Sequence, residues 1–383
     1  MNFEFCTASN IVFGSGSLAK LGSLAKVYAD NYLIVYGKNS ITETGVLGRI
    51  EKQLSQEGLS FCHYNGIYKM PNLKNIEMGV SLALSNGCNG VIAVGGGSVI
   101  DTGKAISGFL TNKDILVDYS NKKCKKYNLT KEAAPFIAIP TTAGVGCEVT
   151  QNIILDCHDV HNKQKLRDKD LLPKVALVDP LLTLTMPKEQ IAIGGMAALT
   201  HLVESYISKK SNSMVEVLAI KGIKLVGESL EDAYNDCANL KSRENMSLAS
   251  LLGGICMNNA DTGLTHNMAT IIGSYFNIPY GLSCGIILPY VIKNNKYNHT
   301  KKLYNMGEAL VDKNIDSEIE GAKIAVKYIE KIAYNIGIPK DFRSHIKKDS
   351  NLENIAKMLK DNSEAWNKSL DGYKMANILE GLF

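Results

Sequence analysis

The sequence predicts an α/β domain followed by an all-helical domain, and three observations support this. Short, continuous apolar runs alternate with amphipathic stretches in the first half of the chain. After Pro187 the apolar residues recur at helical spacing, and runs rich in β-branched residues become scarce. A length of 383 residues exceeds what one ordinary core accommodates. We therefore expect residues 1–185 to form the α/β domain and residues 186–383 to form the helical domain.

The predicted strands of the first domain are apolar on both faces, as in a parallel sheet that helices cover on both sides. They are residues 32–36, 59–64, 90–94, 136–140 and 175–180, with helices predicted through 50–54 and 76–85. In the second domain the helical spacing covers residues 190–209, 214–233, 243–257, 323–336 and 352–383.

The composition indicates which class of molecule the protein binds. The chain is 45% hydrophobic and 21% charged, which is ordinary for a globular protein, and its formal charge is only +4. The densest positive run, residues 122–126, is typical of a solvated loop, so we expect no nucleic-acid binding and a small-molecule substrate. The N-terminal residues do not resemble a signal peptide, and no apolar stretch reaches membrane-spanning length. These features predict a cytoplasmic protein with no membrane partner.

Cysteine spacing predicts free thiols. The nine cysteines are scattered, odd in number and without a C-x-x-C pair. A disulfide framework or a structural zinc site would show paired spacing.

The most informative local stretch follows the strand at residues 90–94. Gly95, Gly96 and Gly97 let the backbone approach a diphosphate closely, because no Cβ blocks it, and the following helix offers unpaired N–H groups. Ser98 belongs to the same turn, and Asp101 is predicted in the first helical turn, where it would cap the helix and accept bonds from the ligand. Because the spacing differs from G-x-G-x-x-G, a glycine-rich turn without a ligand stays open as the alternative.

A second polar turn, residues 140–150, also follows a predicted strand. Its hydroxyl groups, among them those of Thr141 and Thr142, are expected at the same carboxyl edge of the sheet, where open α/β folds bind ligands.

Together these stretches resemble the iron-containing (group III) alcohol dehydrogenases. Residues 95–104, 140–150 and 173–180 are similar to signatures of the family's first domain, and residues 195–204, 263–266 and 279–281 follow those of its helical domain in order. The resemblance implies the dehydroquinate synthase-like architecture: a dinucleotide-binding α/β domain, then a helical domain, with the substrate in a cleft between them. It also implies a homodimer or a larger homo-oligomer.

The resemblance implies a metal, Fe²⁺ or Zn²⁺, held by one Asp and three His. His201 and His266 match two of the histidine positions, but Ala197 stands at the aspartate position and Tyr280 at the third histidine. Thr270 matches a further histidine that the family often places beside the nicotinamide. Two neutral imidazoles leave a divalent cation under-coordinated, so the sequence does not favour tight metal binding.

The resemblance therefore implies an NAD(P)-dependent oxidoreductase that interconverts an alcohol and an aldehyde or ketone, and the incomplete set of metal ligands leaves open a reaction without a metal. In that case Tyr280 would supply an O–H to the developing alkoxide, and His201 or His266 would supply a proton when protonated. The alternative is that Tyr280 merely fills space, with its hydroxyl bonded to a neighbour. Two other functions stay open: a cofactor-binding paralogue that has lost catalysis, and a lyase of the dehydroquinate-synthase type.

Cofactor choice depends on the end of the first strand. Gly37, Lys38 and Ser40 stand where NAD-preferring relatives tend to carry an acidic residue, and Lys163 matches a lysine that lies near the ribose and nicotinamide in relatives. The sequence therefore favours NADP over NAD.

Overall fold

A computed structural model of the chain describes residues 2–37, 40–67, 71–120, 129–156, 163–295, 299–346, 357 and 378–383. Side chains are described at these positions except 40, 117–120, 156, 163–165 and 295. The chain divides into two compact units. The α/β unit comprises Phe5–Thr142 and Gly146–Met186, and the helical unit comprises Met1–Glu4, Ala143–Val145 and Pro187–Phe383.

The α/β unit is built on a parallel sheet of six strands, which confirms the predicted architecture. The strands of this sheet are β1 (Asn10–Phe13), β2 (Asn31–Gly37), β3 (Ser60–Ile67), β4 (Gly90–Gly95), β5 (Phe136–Pro140) and β8 (Val175–Val178). Between β5 and β8 the chain forms a separate antiparallel pair, β6 (Asn152–Asp156) and β7 (Lys163–Arg167). The spatial order β1-β8-β5-β4-β2-β3 makes β2, β4 and β5 neighbours, so their carboxyl ends share one edge.

Helices accompany these strands: α1 (Leu21–Ala25), α2 (Ser40–Glu43), α3 (Val46–Gln56), α4 (Leu73–Ser85), α5 (Gly97–Thr111) and α6 (Lys113–Ser120). Alternate residues of β2 point to opposite faces, yet both faces are buried. Tyr32 and Ile34 join one core with Ile50 and Leu54 of α3, and Leu33, on the opposite face, is also fully buried. The continuous apolar runs in the sequence reflect this burial on both faces.

Several elements of the α/β unit were not predicted, and β1 and β7 show why. β1 is a four-residue edge strand with exposed ends, and its apolar run is only three residues long, shorter than the runs of the central strands. β7 carries charged residues in three of its five positions, a pattern that the search for apolar runs passes over.

The helical unit contains α7 (Lys188–Ile207), α8 (Ser213–Asn235), α9 (Leu240–Ala260), α10 (Leu264–Phe276), α11 (Tyr280–Asn295), α12 (Thr300–Val311) and α13 (Glu318–Asn335). The predicted helices at 190–209, 214–233, 243–257 and 323–336 correspond to α7, α8, α9 and α13. α11 was not delimited from the sequence because it is apolar on most sides and contains Pro289. Most of the predicted helix 352–383 lies outside the described residues, and residues 378–382 are helical.

Across the described ranges, no helix is both long enough and apolar enough to cross a bilayer. The seven cysteines that fall within those ranges form no disulfide, which agrees with the predicted thiols: Cys6, Cys62, Cys88, Cys147, Cys237, Cys256 and Cys284.

Candidate active site

The predicted cofactor turns lie at one edge of the parallel sheet. Gly37 ends β2, Gly95 ends β4, and Thr141 directly follows β5. The turns after β4 and β5 are joined by a hydrogen bond of 3.0 Å, in which the Thr141 N–H donates to the Gly95 carbonyl. The edge formed by the carboxyl ends of parallel strands is where open α/β folds bind their ligands.

The turn after β4 is shaped for close backbone approach. A Cβ on Gly95 would lie 2.8 Å from the Cβ of Val99, so a larger residue does not fit there. Gly96 caps α5, and the helix's first hydrogen bonds are made by the N–H groups of Val99 and Ile100 to the Gly96 carbonyl. The N–H groups before Val99 therefore precede the helical ladder and point toward the region where an anion binds at a helix N-terminus.

The structure corrects the role predicted for Asp101. It is the fifth residue of α5, beyond the first turn, and no capping bond from a side chain forms at this helix start within the described residues. Its carboxylate instead lies 3.5 Å from the ammonium group of Lys104. Burial raises the pKa of Asp101, and the neighbouring Lys104 opposes that shift. Its contact with a dinucleotide stays a prediction.

Lys104 is fully buried and binds the end of the second polar turn and the strand that follows it. Its ammonium group donates to the carbonyls of Cys147 at 2.9 Å and Asn152 at 3.1 Å, and to the Thr150 hydroxyl at 3.1 Å. These bonds fix the end of the second polar turn against α5.

Glu148 is a buried acid that the sequence argument did not single out. Glu148 is only 3% exposed to solvent. Burial raises the pKa of Glu148 to about 7, although the charge of Lys104 favours the ionised form. The signal available in the sequence was an acidic residue within an otherwise apolar stretch, Cys147–Val149.

The helical unit brings together the three residues predicted as catalytic. His201 lies on α7, His266 on α10, and Tyr280 begins α11. The Tyr280 hydroxyl oxygen is 2.9 Å from Nε2 of His201 and 2.7 Å from Nδ1 of His266. The phenol oxygen therefore bridges the two imidazole rings.

His201 is held in its neutral form. The residue is fully buried, and this burial lowers the pKa of its imidazole to about 4. The backbone of Val145 opposes the shift only in part, and Nδ1 makes no hydrogen bond of normal geometry to any described residue. The predicted role of His201 as a protonated donor therefore does not hold near neutral pH.

Ala143–Val145 places that backbone beside His201 within the helical unit. The Gly144 N–H donates to the Ser250 hydroxyl at 2.7 Å. A Cβ on Gly144 would lie 2.9 Å from the Cα of Gly194, so this approach requires glycine.

Glu204 positions His266. Its carboxylate accepts hydrogen bonds from the backbone N–H groups of Gly263 at 2.8 Å, Thr265 at 2.5 Å and His266 at 3.1 Å. Burial raises the pKa of Glu204, and the bond from His266 opposes that shift. Glu204 therefore caps α10, and its oxygens are already used by the backbone.

The remaining positions that the resemblance implied carry no strong metal ligand. Ala197 is buried on α7, four residues before His201, and offers only a methyl group. The Thr270 hydroxyl donates to the His266 carbonyl at 2.8 Å. In the part of the chain that the structure describes, no three His, Cys, Asp or Glu residues come together as a metal site.

Several of the predicted features lie outside the residues and side chains that the structure describes. These are Lys38, the side chains of Ser40 and Lys163, and the lysine run at 122–126.

Comparisons with known proteins agree over nearly the whole chain. The profile of the iron-containing alcohol dehydrogenases matches residues 8–180, and that of the C-terminal domain of the same family matches residues 191–380. A 1,3-propanediol dehydrogenase of Citrobacter freundii is 31% identical over 94% of this chain and 93% of its own. Alcohol dehydrogenase 4 of Saccharomyces cerevisiae (strain YJM789) is 30% identical over 90% and 88%.

Solved structures give the same result. The crystal structure of a 1,3-propanediol oxidoreductase has a TM-score of 0.93 at 28% identity, and an alcohol dehydrogenase from Oenococcus oeni has a TM-score of 0.92 at 28% identity. Each comparison covers 100% of both chains. The chain therefore belongs to the iron-containing alcohol dehydrogenase family, and it is an NAD(P)-dependent alcohol oxidoreductase.

Proposed function

We propose that this enzyme reduces an aldehyde or ketone to an alcohol, and catalyses the reverse reaction, without a catalytic metal ion. The observation that carries the proposal is the Tyr280 hydroxyl oxygen, within 2.9 Å of His201 and 2.7 Å of His266. The phenol contacts both of the histidines that match metal-ligand positions of the family.

The residues at the family's metal positions do not fit a divalent cation. Ala197 supplies no donor atom, and Tyr280 offers a phenol, whereas zinc in proteins is held by Cys, His, Asp or Glu side chains. Two imidazoles would remain, whereas catalytic zinc sites use three protein ligands. Glu204 does not replace the missing carboxylate, because three backbone N–H groups already bind its oxygens.

Hydrogen-bonding capacity assigns the protons in this cluster. A neutral His201 with its hydrogen on Nδ1 directs that hydrogen to the Val145 backbone and leaves Nε2 as an acceptor. Tyr280 then donates its O–H to Nε2, and His266 donates its Nδ1–H to the phenol oxygen. The three side chains are then joined by one directed chain of hydrogen bonds, from His266 to Tyr280 to His201.

This arrangement provides a general acid for carbonyl reduction. A nicotinamide cofactor, when bound, would supply the hydride in this direction and accept it in reverse. Tyr280 turns its O–H from His201 to the substrate oxygen and transfers the proton as negative charge develops there. The Nδ1–H of His266 stabilises the phenolate that forms, and the ring of His266, which is half-exposed, exchanges protons with water.

Cofactor preference is proposed to be NADP(H). The support is that β2 ends in Gly37, followed by Lys38 and Ser40, with no carboxylate at the position where relatives repel a 2′-phosphate. The assembly is proposed to be a homodimer or a larger homo-oligomer in the cytoplasm, acting on a small alcohol or carbonyl compound. Family resemblance supports the assembly, and sedimentation velocity measures it.

The experiment is the comparison of Tyr280→Phe with Tyr290→Phe. Both substitutions remove one phenol oxygen from α11 and leave the ring in place. We expect Tyr280→Phe to lower kcat/KM for aldehyde reduction about a hundredfold or more, as general-acid catalysis requires. Tyr290→Phe should keep wild-type turnover. Equal activity of the two variants would remove Tyr280 from the mechanism.

A further inference from the structure

Two cysteines of the α/β unit form a close thiol pair. The Sγ atoms of Cys62 and Cys88 lie 3.4 Å apart, although the residues are 26 positions apart in sequence. Cys62 is the third residue of β3, and Cys88 lies in the turn between α4 and β4. The two cysteines are brought together by the fold, so no short spacing motif in the sequence indicates the pair.

Cys88 is held in place by its surroundings. Its backbone N–H donates to the Ala83 carbonyl at 2.9 Å, and the next residue, Asn89, donates to the Asn31 carbonyl at 2.9 Å. The thiol itself lies 3.7 Å from the side-chain oxygen of Asn31. The pair therefore meets in a fixed turn at the amino end of β2.

The two thiols differ in access. Cys62 is half-exposed, whereas Cys88 is only 7% exposed. Burial, with the neighbouring Cys62, raises the pKa of the Cys88 thiol to about 12. A reagent from solvent therefore reaches Cys62 first, and Cys88 stays protonated beside it.

We propose that Cys62 and Cys88 are an oxidative modification site, at which a hydroperoxide converts the dithiol into a disulfide. The Cys62 sulfur attacks the peroxide, the O–O bond breaks, and a sulfenic acid forms as water or an alcohol leaves. The Cys88 sulfur then attacks that sulfenic sulfur, the S–S bond forms, and water leaves. Closing 3.4 Å to the length of an S–S bond requires an approach of about 1.4 Å.

The position of the bond determines its effect. The cofactor turns at Gly37 and Gly95 lie at the carboxyl ends of β2 and β4, whereas the thiol pair lies near their amino ends. The disulfide would tie the edge strand β3 to the turn that precedes β4. We expect it to stabilise the α/β unit and to leave cofactor affinity unchanged.

The test treats the full-length enzyme with hydrogen peroxide, blocks free thiols by alkylation and maps cysteine-containing peptides by mass spectrometry. We expect a Cys62–Cys88 cross-linked peptide that disappears after reduction with dithiothreitol. The oxidised protein should melt several degrees higher than the reduced protein and bind the nicotinamide cofactor with the same Kd.

Variants separate this pair from general thiol oxidation. Cys88→Ser should abolish the disulfide and let Cys62 proceed to sulfinic acid, whereas Cys237→Ser, which changes another half-exposed free cysteine, should leave the cross-link intact. Sulfinic acid on Cys62 in the wild-type enzyme, in place of the cross-link, would overturn the proposal. Peptide mapping of the wild-type enzyme decides this even if Cys88→Ser does not fold.

Discussion

Tyr280 changes the chemistry that the two histidines beside it can perform. In the proposed arrangement the Tyr280 hydroxyl accepts one hydrogen bond, from His266, and donates another, to His201. A metal ion between the same rings would require lone pairs on both nitrogens. In the proposed mechanism Tyr280 therefore replaces Lewis-acid chemistry with proton transfer. Ala197 also offers no carboxylate, so it lacks the negative charge that a bound cation would need.

His201 gives the cluster a measurable pH signature. Its pKa is lowered by burial to about 4, below the ordinary value of 6.5, so the unfolded state takes up a proton between these values and the folded state does not. Stability should therefore fall as the pH falls from 6.5 to 4, by about 3 kcal/mol in all, since each pKa unit is worth about 1.4 kcal/mol.

Urea unfolding at several pH values, with NMR titration of the imidazole carbons, measures this effect. The His201→Asn variant should lose that part of the slope. A His201 ring that titrates near pH 6.5 would contradict the buried, neutral assignment.

Gly37 controls the predicted cofactor preference. A Cβ at Gly37 would lie 3.7 Å from a methyl carbon of Val99, an ordinary contact, so a larger side chain fits there. Gly37→Asp should shift the ratio of Kd values for NADPH and NADH toward NADH by about a hundredfold, because a carboxylate repels the 2′-phosphate and binds the ribose hydroxyls. Gly37→Asn has the same size without the charge and should change the ratio little. Fluorescence titration with both cofactors measures it, and an unchanged ratio in Gly37→Asp would count against the assignment of this strand end.

At the scale of elements, three helices assemble the His–Tyr cluster. α7 supplies His201 and also Glu204, whose carboxylate caps α10 and so fixes the position of His266. α11 begins at Tyr280, so its first residue completes the cluster. The carboxylate at the start of α10 also interacts favourably with the helix dipole.

Replacing Glu204 should separate positioning from catalysis. In Glu204→Gln, one of the two oxygens becomes an NH₂ group that faces backbone N–H donors. We expect a loss of about 2–3 kcal/mol in unfolding free energy, since hydrogen bonds to charged groups contribute about 1.5–3 kcal/mol each. We also expect a lower kcat with a smaller change in KM, because His266 no longer meets Tyr280 correctly.

Glu216→Gln is the matched control for this prediction. Glu216 forms a partly exposed ion pair with Lys302 at 2.8 Å, and such pairs contribute little to stability. If Glu204→Gln behaved like Glu216→Gln in both kcat and stability, the capping role would be wrong.

At the scale of the whole molecule, the sequence predicted the features that depend on periodicity and turn chemistry. The central strands are apolar on both faces, so the continuous runs revealed β2, β4 and β5 and with them the edge that carries Gly95 and Thr141. β1 and β7 were not predicted because a short edge strand and a charged hairpin strand do not have a long continuous apolar run.

The sequence predicted which residues form the site, but it did not predict how their side chains are arranged. The family signatures located His201, His266 and Tyr280, whereas the hydroxyl bridge depends on the arrangement of α7, α10 and α11. Asp101 was assigned to the first turn of its helix because the helix start was placed too late, and its partner Lys104 was not recognised. The depression of the His201 pKa depends on complete burial, which residue spacing does not reveal.

The most direct test of metal-independent hydride transfer is turnover of chelator-treated enzyme. Oxidation of NADPH with a panel of short and functionalised aldehydes is followed at the nicotinamide absorbance band, beside the same protein resupplied with Fe²⁺ or Zn²⁺. The proposed chemistry predicts equal turnover in the chelated and resupplied samples, with both losing activity in Tyr280→Phe. Turnover that appears only after metal is added would contradict it and would show that other residues complete a metal site with His201 and His266.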